Sequence, residues 1–247
     1  SANEIPIELR KLARAFNEML DRLGDSLTRL TEFSSDLAHE IRTPINNLMI
    51  QTQVSLSKLR TADEYREILY ANYEEYEKLA RMISDMLFLA KADNGLLVPH
   101  RETIDLAKEI VTLRDFYEVI AHEENVAITV SGHARCQGDA IMLHRAFGNL
   151  LANALQHADK NTTVTIAIEN GHDHVAVLVS NHGAPLSPDQ LPRLFDRFYR
   201  ADSARTKQDE GAGLGLAITR SIIRAHGGDI EVACSGDLIT FTVTLPK

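Results

Sequence analysis

The chain has 247 residues, of which 44% are hydrophobic and 25% charged, with 26 Lys and Arg against 35 Asp and Glu for a formal net charge of -9. That length accommodates one large domain or two ordinary ones, and the apolar content is too high for a chain disordered throughout. The acidic excess holds in both halves, which argues against nucleic acid as a main partner, although a few local donors and Mg²⁺ still allow phosphates to bind.

The first 94 residues read as helix with one turn. Apolar residues recur every seven at Leu9, Phe16, Leu23, Leu30 and Leu37, with a second set at Leu12, Met19 and Phe33 and a gap at Ser26. This is a heptad seam of the coiled-coil kind. Leu37, Ile41 and Ile45 then follow at steps of four, a stutter that unwinds a coiled coil locally. Pro44 lies inside it and predicts a kink. Thr61-Ala62-Asp63-Glu64 is a capping box opening a second helix, whose apolar stripe runs through Ile68, Asn72, Leu79 and Met86 to Ala90. A hairpin of two such helices leaves apolar faces that pairing into a four-helix bundle would bury.

From about residue 100 strand-like runs alternate with amphipathic helices. Thr103-Ile104 is a short strand, Asp105 caps a helix to about His122, and Val126–Val130 is a strand. Asp139 caps a long helix to about His157. Val164–Ile168 and Val175–Ser180 are strands joined at Asn170-Gly171. Leu214–His226 is helical and ends at Gly227-Gly228, and Ile230–Ala233 and Ile239–Leu245 complete the sheet. The expected class is therefore multidomain: an all-α hairpin followed by an α+β sandwich, with the boundary near Gly95–His100. Ala201–Gly213 is polar and aperiodic, which predicts a loop acting as a lid.

Two sets of residues carry chemistry. His39 lies about 200° around the helix from both Leu37 and Ile41, so it faces away from the seam, and Thr43 shares its face. A solvated surface histidine is the bland alternative. Zinc is not supported, because the second ligand of an HExxH pattern would fall on Thr43. The second set is four blocks in order: Asn149 and Asn153 one turn apart on a helix; Asn181-His-Gly183 after a strand; Phe195-Asp-Arg-Phe198-Tyr-Arg200; and Gly211-Ala-Gly213-Leu-Gly215-Leu216 before a helix. Taken singly, each has an ordinary reading as a polar helix face, a turn, or packing. No GxxxxGK[ST] loop and no protein-kinase catalytic signature occurs.

The run Phe33-Ser-Ser-Asp-Leu-Ala-His39-Glu40-Ile-Arg42-Thr43-Pro44 resembles the H-box of sensor histidine kinases, and the four later blocks resemble the N, G1, F and G2 boxes of their ATP-binding domain. That fold is shared with gyrase, Hsp90 and MutL. The resemblance implies that residues 1–27 end a HAMP-like signalling helix, 28–96 form a dimerising phosphotransfer domain, and 97–247 bind ATP. It makes His39 the phosphoacceptor, Glu40 the group that orients it, and Thr43 the residue that positions water for a phosphatase reaction. Asn153 would hold Mg²⁺ with support from Asn149. Gly211, Gly213, Gly215 and Leu216 would line the phosphates, Phe198 and Arg200 would also contact ATP, and Asn181 and Gly183 would face the base. The family usually has Asp at position 181, and often a basic residue near Gln156.

Ala15-Phe-Asn-Glu-Met and Leu194-Phe-Asp-Arg-Phe-Tyr-Arg further resemble copper- and heavy-metal-responsive kinases. The implied partners are a second copy and a response regulator, with membrane attachment only through an upstream sensor. The two cysteines and the lack of 18 consecutive apolar residues fit a cytoplasmic portion of a bacterial inner-membrane protein. Two alternatives stay open: an ATPase of the same superfold, and a dimeric scaffold without catalysis.

Overall fold

A computed structural model describes residues 7–201 and 212–247, and up to residue 36 only some of the side chains. The expected lid and Gly211 therefore fall outside the described residues, as do most of the side chains of the early heptad seam. Two compact units divide the chain, residues 1–79 and 80–247.

The first unit contains helix α1 (Ile7–Leu56) and most of α2 (Ala62–Asp93). The backbone stays helical on both sides of Pro44, so the expected kink is not a break in the helix. Pro44 lacks the N–H that would pair with the Glu40 carbonyl, but its ring is buried, and a helix of this length carries one missing bond. The capping box is present. The Thr61 N–H donates to Glu64 Oε2 (2.7 Å), and the Glu64 N–H donates to Thr61 Oγ1 (3.3 Å). These bonds hold the Glu64 carboxyl below its usual range, with the Thr61 backbone bond the largest cause. Large apolar side chains on both helices remain exposed in a single chain, among them Met49 (64%) and Leu69 (67%).

The second unit begins with the last turns of α2. Met86 and Leu89 are buried there. Asp85 pairs with Arg145, whose guanidinium also lies 4.6 Å from the Phe88 ring centre. Burial pushes the Asp85 carboxyl up despite that pairing. Asp93 accepts two hydrogen bonds from Arg197 Nη2, at 2.5 and 2.6 Å.

Strands and helices then follow: β1 (Glu102–Asp105), α3 (Leu106–Glu123), β2 (Ala127–Gly132), β3 (Arg135–Gly138), α4 (Ala140–His157), β4 (Thr163–Asn170), β5 (His174–His182), a 3-10 turn (Leu191–Phe195), α5 (Gly215–Ala225), β6 (Asp229–Ser235) and β7 (Leu238–Pro246). The main sheet has the order β2-β4-β5-β7-β6, with β2 parallel to β4 and every other pair antiparallel. A second, two-stranded sheet pairs β1 with β3.

Strict alternation builds the core. Val175, Val177 and Val179 on β5 and Ile239, Phe241, Val243 and Leu245 on β7 are buried. The helices face this layer with Leu143, Leu150, Leu151, Ile218, Ile222 and Ile223, all buried. Each such side chain contributes about 1.5–3 kcal/mol. Asp105 and Asp139 cap α3 and α4 as the sequence predicts, accepting from the Lys108 and Met142 N–H groups. Buried His226 accepts the Asp139 N–H at Nε2 (2.9 Å) and donates from Nδ1 to the Ile222 carbonyl (2.8 Å). That bonding locks α5 to the start of α4.

The structure departs from the sequence expectation in three places. β3 and the 3-10 turn were not expected, since each is only four or five residues long. The β4–β5 connection runs over Gly171–Asp173, because neither Asn170 nor Gly171 adopts the positive φ that a two-residue Asn-Gly hairpin needs. Among the described residues no helix is long and apolar enough to cross a membrane.

Candidate functional site

In the first unit His39 is exposed and Glu40 half-buried. Thr43 is exposed one turn on, and its hydroxyl lies 3.4 Å from the His39 carbonyl. The hydroxyl and the imidazole therefore project from one face of a helix whose opposite side buries Pro44 and Leu48. An exposed imidazole is open to approach by a partner, and a histidine ring nitrogen can act as a nucleophile.

The second unit brings three of the four later blocks together around α4 and α5. Asn149 is half-buried, and its Nδ2 donates to the carbonyl of Gly215 (3.1 Å), the first residue of α5. The Thr219 hydroxyl donates to the same carbonyl (3.0 Å). Asn149 thus ties α4 to the opening turn of α5. Asn153, one turn further on, is half-buried and makes no side-chain hydrogen bond to another described residue. Leu214, the residue that precedes α5, offers no side-chain cap to the first N–H groups of that helix.

The aromatic block is clipped to the glycine block. The Phe198 N–H donates to the Gly213 carbonyl (3.0 Å). Both residues have left-handed backbones, with φ 59 at Phe198 and φ 67 at Gly213. A Cβ at position 213 would lie 2.9 Å from the Phe198 carbonyl carbon and Cα, so only glycine fits this crossing without a shift. Phe195 is buried edge-on to Phe241, and Arg220 donates to the Phe195 carbonyl (3.1 Å). The Arg193 guanidinium lies 4.4 Å from the centre of the Tyr199 ring. Arg200 is exposed at the near end of the 202–211 segment, and Leu216 is half-buried in the first turn of α5.

The remaining block packs at the end of α4. A Cβ at Gly183 would lie 2.3 Å from the His157 carbonyl at the end of α4. Packing against the end of α4 therefore accounts for a glycine at this position. Asn181, two residues earlier, is 1% exposed. The sequence offered no hint of the Asn149–Gly215 tether or of the Asp93–Arg197 pair, because each joins residues far apart in the chain. Among the described residues no group of three or more His, Cys, Asp or Glu side chains could hold a metal.

Residues 29–95 match the His Kinase A (phospho-acceptor) domain, and residues 138–247 match the histidine kinase-, DNA gyrase B- and HSP90-like ATPases. The chain belongs to the histidine kinase family. It is 50% identical to the probable sensor protein PcoS of Escherichia coli, over 97% of this chain and 52% of that protein. It is 45% identical to the sensor histidine kinase CusS of Escherichia coli strain K12, over 98% of this chain and 51% of that protein. The chain thus spans about half the length of these relatives.

Among solved structures, the Acinetobacter baumannii histidine kinase AdeS superposes with TM-score 0.71 at 20% identity, over 84% of this chain and 97% of that one. The histidine kinase ThkA, solved in complex with the response regulator TrrA, superposes with TM-score 0.70 at 20% identity, over 99% of this chain and 68% of that one. These likenesses establish the fold. His39 lies within the phospho-acceptor match, and the asparagine and glycine blocks lie within the ATPase match.

Proposed function

We propose that this kinase phosphorylates its own His39 from ATP and passes the phosphoryl group to an aspartate of a response regulator. The observation that carries the reading is one chain holding both an exposed histidine inside a phospho-acceptor domain and an ATPase domain of the matching family. A ring nitrogen of neutral His39 attacks the γ-phosphorus, the bond to the β–γ bridging oxygen breaks, and ADP leaves. Glu40 orients the ring and stabilises its positive charge. Thr43 positions the water that later hydrolyses the regulator's phosphoaspartate.

In the ATP-binding unit Asn153 offers a neutral amide oxygen to Mg²⁺, and Asn149 keeps α4 in register with α5. Bound Mg²⁺ would neutralise phosphate charge. The first turn of α5, with Gly213, Gly215 and Leu216, presents backbone N–H groups to the phosphates, and Gly211 belongs to the same sequence motif. Arg200 pairs with γ-phosphate charge, Phe198 packs beside the nucleotide, and Asn181 faces the base. The exposed apolar faces of α1 and α2 support pairing with a second copy into a four-helix bundle. Residues 1–27 would relay a signal, and residues 28–96 and 97–247 would act as phosphotransfer and catalytic domains. The resemblance of its motifs to copper- and heavy-metal-responsive kinases supports a cytoplasmic portion that works below a membrane sensor, with a metal ion as the signal.

Incubation with γ-labelled ATP and Mg²⁺ tests the proposal. The label should reach the protein, survive base and be lost in acid, as phosphohistidine requires. ATP turnover without any base-stable phosphoprotein would instead favour an ATPase of the same superfold.

A further inference from the structure

Asn181 occupies the last helix-facing position of β5. Val175, Val177 and Val179 fill the preceding positions on that face, and Asn181 continues the row at 1% exposure. Its Nδ2 lies 3.3 Å from where a Gly183 Cβ would stand, beside the His157 carbonyl that ends α4. The amide therefore sits under the end of the helix that carries Asn149 and Asn153. Its Nδ2 is buried and has no hydrogen-bond partner among the described residues. A buried donor left unmade costs about 1–3 kcal/mol. Such a group calls for an explanation, and an acceptor supplied by a bound ligand is one.

We propose that Asn181 makes the nucleotide site accept guanine as well as adenine nucleotides; this rests on the nucleotide site proposed above. A carboxamide holds a donor and an acceptor side by side. The pairing edge of adenine presents an amino donor next to a ring-nitrogen acceptor. The edge of guanine presents a carbonyl acceptor next to a ring N–H donor. Both edges match a carboxamide after a half-turn about χ2, a torsion with two nearly equivalent settings. A carboxylate at this position could only accept. It would serve the adenine amino group and repel the guanine carbonyl. Sites that bond a polar group strongly reject an analogue that leaves that bond unmade, and the neutral amide avoids this for either purine.

The test is equilibrium titration of the full chain with AMPPNP and GMPPNP in Mg²⁺, for the wild type and Asn181→Asp. The wild type should bind the two within about tenfold, or about 1.4 kcal/mol. Asn181→Asp should widen the gap at least about tenfold through loss of GMPPNP binding. A wild-type preference for AMPPNP above about a hundredfold overturns the proposal, as does an unchanged ratio in the variant. If the buried carboxylate prevents folding, Asn181→Leu replaces it and should weaken both analogues by a similar factor; loss of AMPPNP binding alone would overturn dual acceptance. Asn153→Ala separates failure of the site from failure of the inference. If neither analogue binds the wild type, or if Asn153→Ala changes neither affinity, the nucleotide site itself is misplaced and the inference falls with it. AMPPNP binding that depends on Asn153, with GMPPNP excluded, overturns base selectivity alone.

Discussion

Replacing Gly213 with Ala should weaken nucleotide binding as well as lower global stability. Two costs act at this position. A residue with a Cβ held at φ 67 pays roughly 1–2 kcal/mol for the left-handed backbone. The new Cβ would also lie 2.9 Å from Phe198 backbone atoms and 3.1 Å from the Tyr199 carbonyl, and crowding of this kind costs about 1–3 kcal/mol. Gly236 provides the control, since its φ is 65 but nothing lies within 4 Å of its Cβ position. Gly236→Ala therefore pays only the backbone cost, a fall in Tm of about 2–4 °C per kcal/mol for a chain of this size. Gly213→Ala relieves its clash by pushing the Phe198 segment away from α5, so its cost falls on the site. Calorimetric titration with AMPPNP should show at least a tenfold loss of affinity, or about 1.4 kcal/mol, for Gly213→Ala and wild-type affinity for Gly236→Ala. Equal affinities for the two variants would refute the steric argument.

Asn153→Ala should leave Tm unchanged, because its amide bonds no other described residue, and should slow labelling at limiting Mg²⁺ by at least about tenfold; rate measurements across a Mg²⁺ series check this. Thr43→Ala should spare labelling, shift stability by less than about 0.5 kcal/mol, and slow dephosphorylation of the regulator, whereas equal loss of both activities would point to a structural role. Burial pushes the Asp139 carboxyl up, but N–H groups of Met142, His100 and Ile141, with His226 nearby, pull it below the ordinary value overall. Its stabilisation is therefore present above the unfolded value of about 4 and is lost as pH falls through the lower folded value. Asp139→Asn should cost less than about 1 kcal/mol at neutral pH, and denaturant melts should show that difference closing in acid.

What could be read from the sequence was local. The capping pairs Thr61–Glu64, Asp105–Lys108 and Asp139–Met142 lie three residues apart, so the helix starts were legible. The valine alternation through β5 was equally legible, and extending it by one step would have placed Asn181 in the core. β3 was not, because its four residues, Arg-Cys-Gln-Gly, carry no propensity that outweighs a loop; pairing with β1 makes it a strand. The glycine block announced itself by composition, but its reason did not. Only the left-handed crossing with Phe198 explains why residue 213 must lack a side chain. The Arg197 pair with Asp93 and the Asn149 bond to Gly215 join residues 104 and 66 positions apart, beyond any periodic pattern. The outward orientation of His39 was legible from helical spacing alone, since its angle from Leu37 and Ile41 turns it away from their side.

The most direct measurement compares labelling of the wild type and His39→Gln by γ-labelled ATP, with AMPPNP affinity taken on both proteins. The account predicts that the variant acquires no base-stable label and binds AMPPNP as the wild type does, because His39 and the nucleotide site belong to different units. Full labelling of His39→Gln would contradict it.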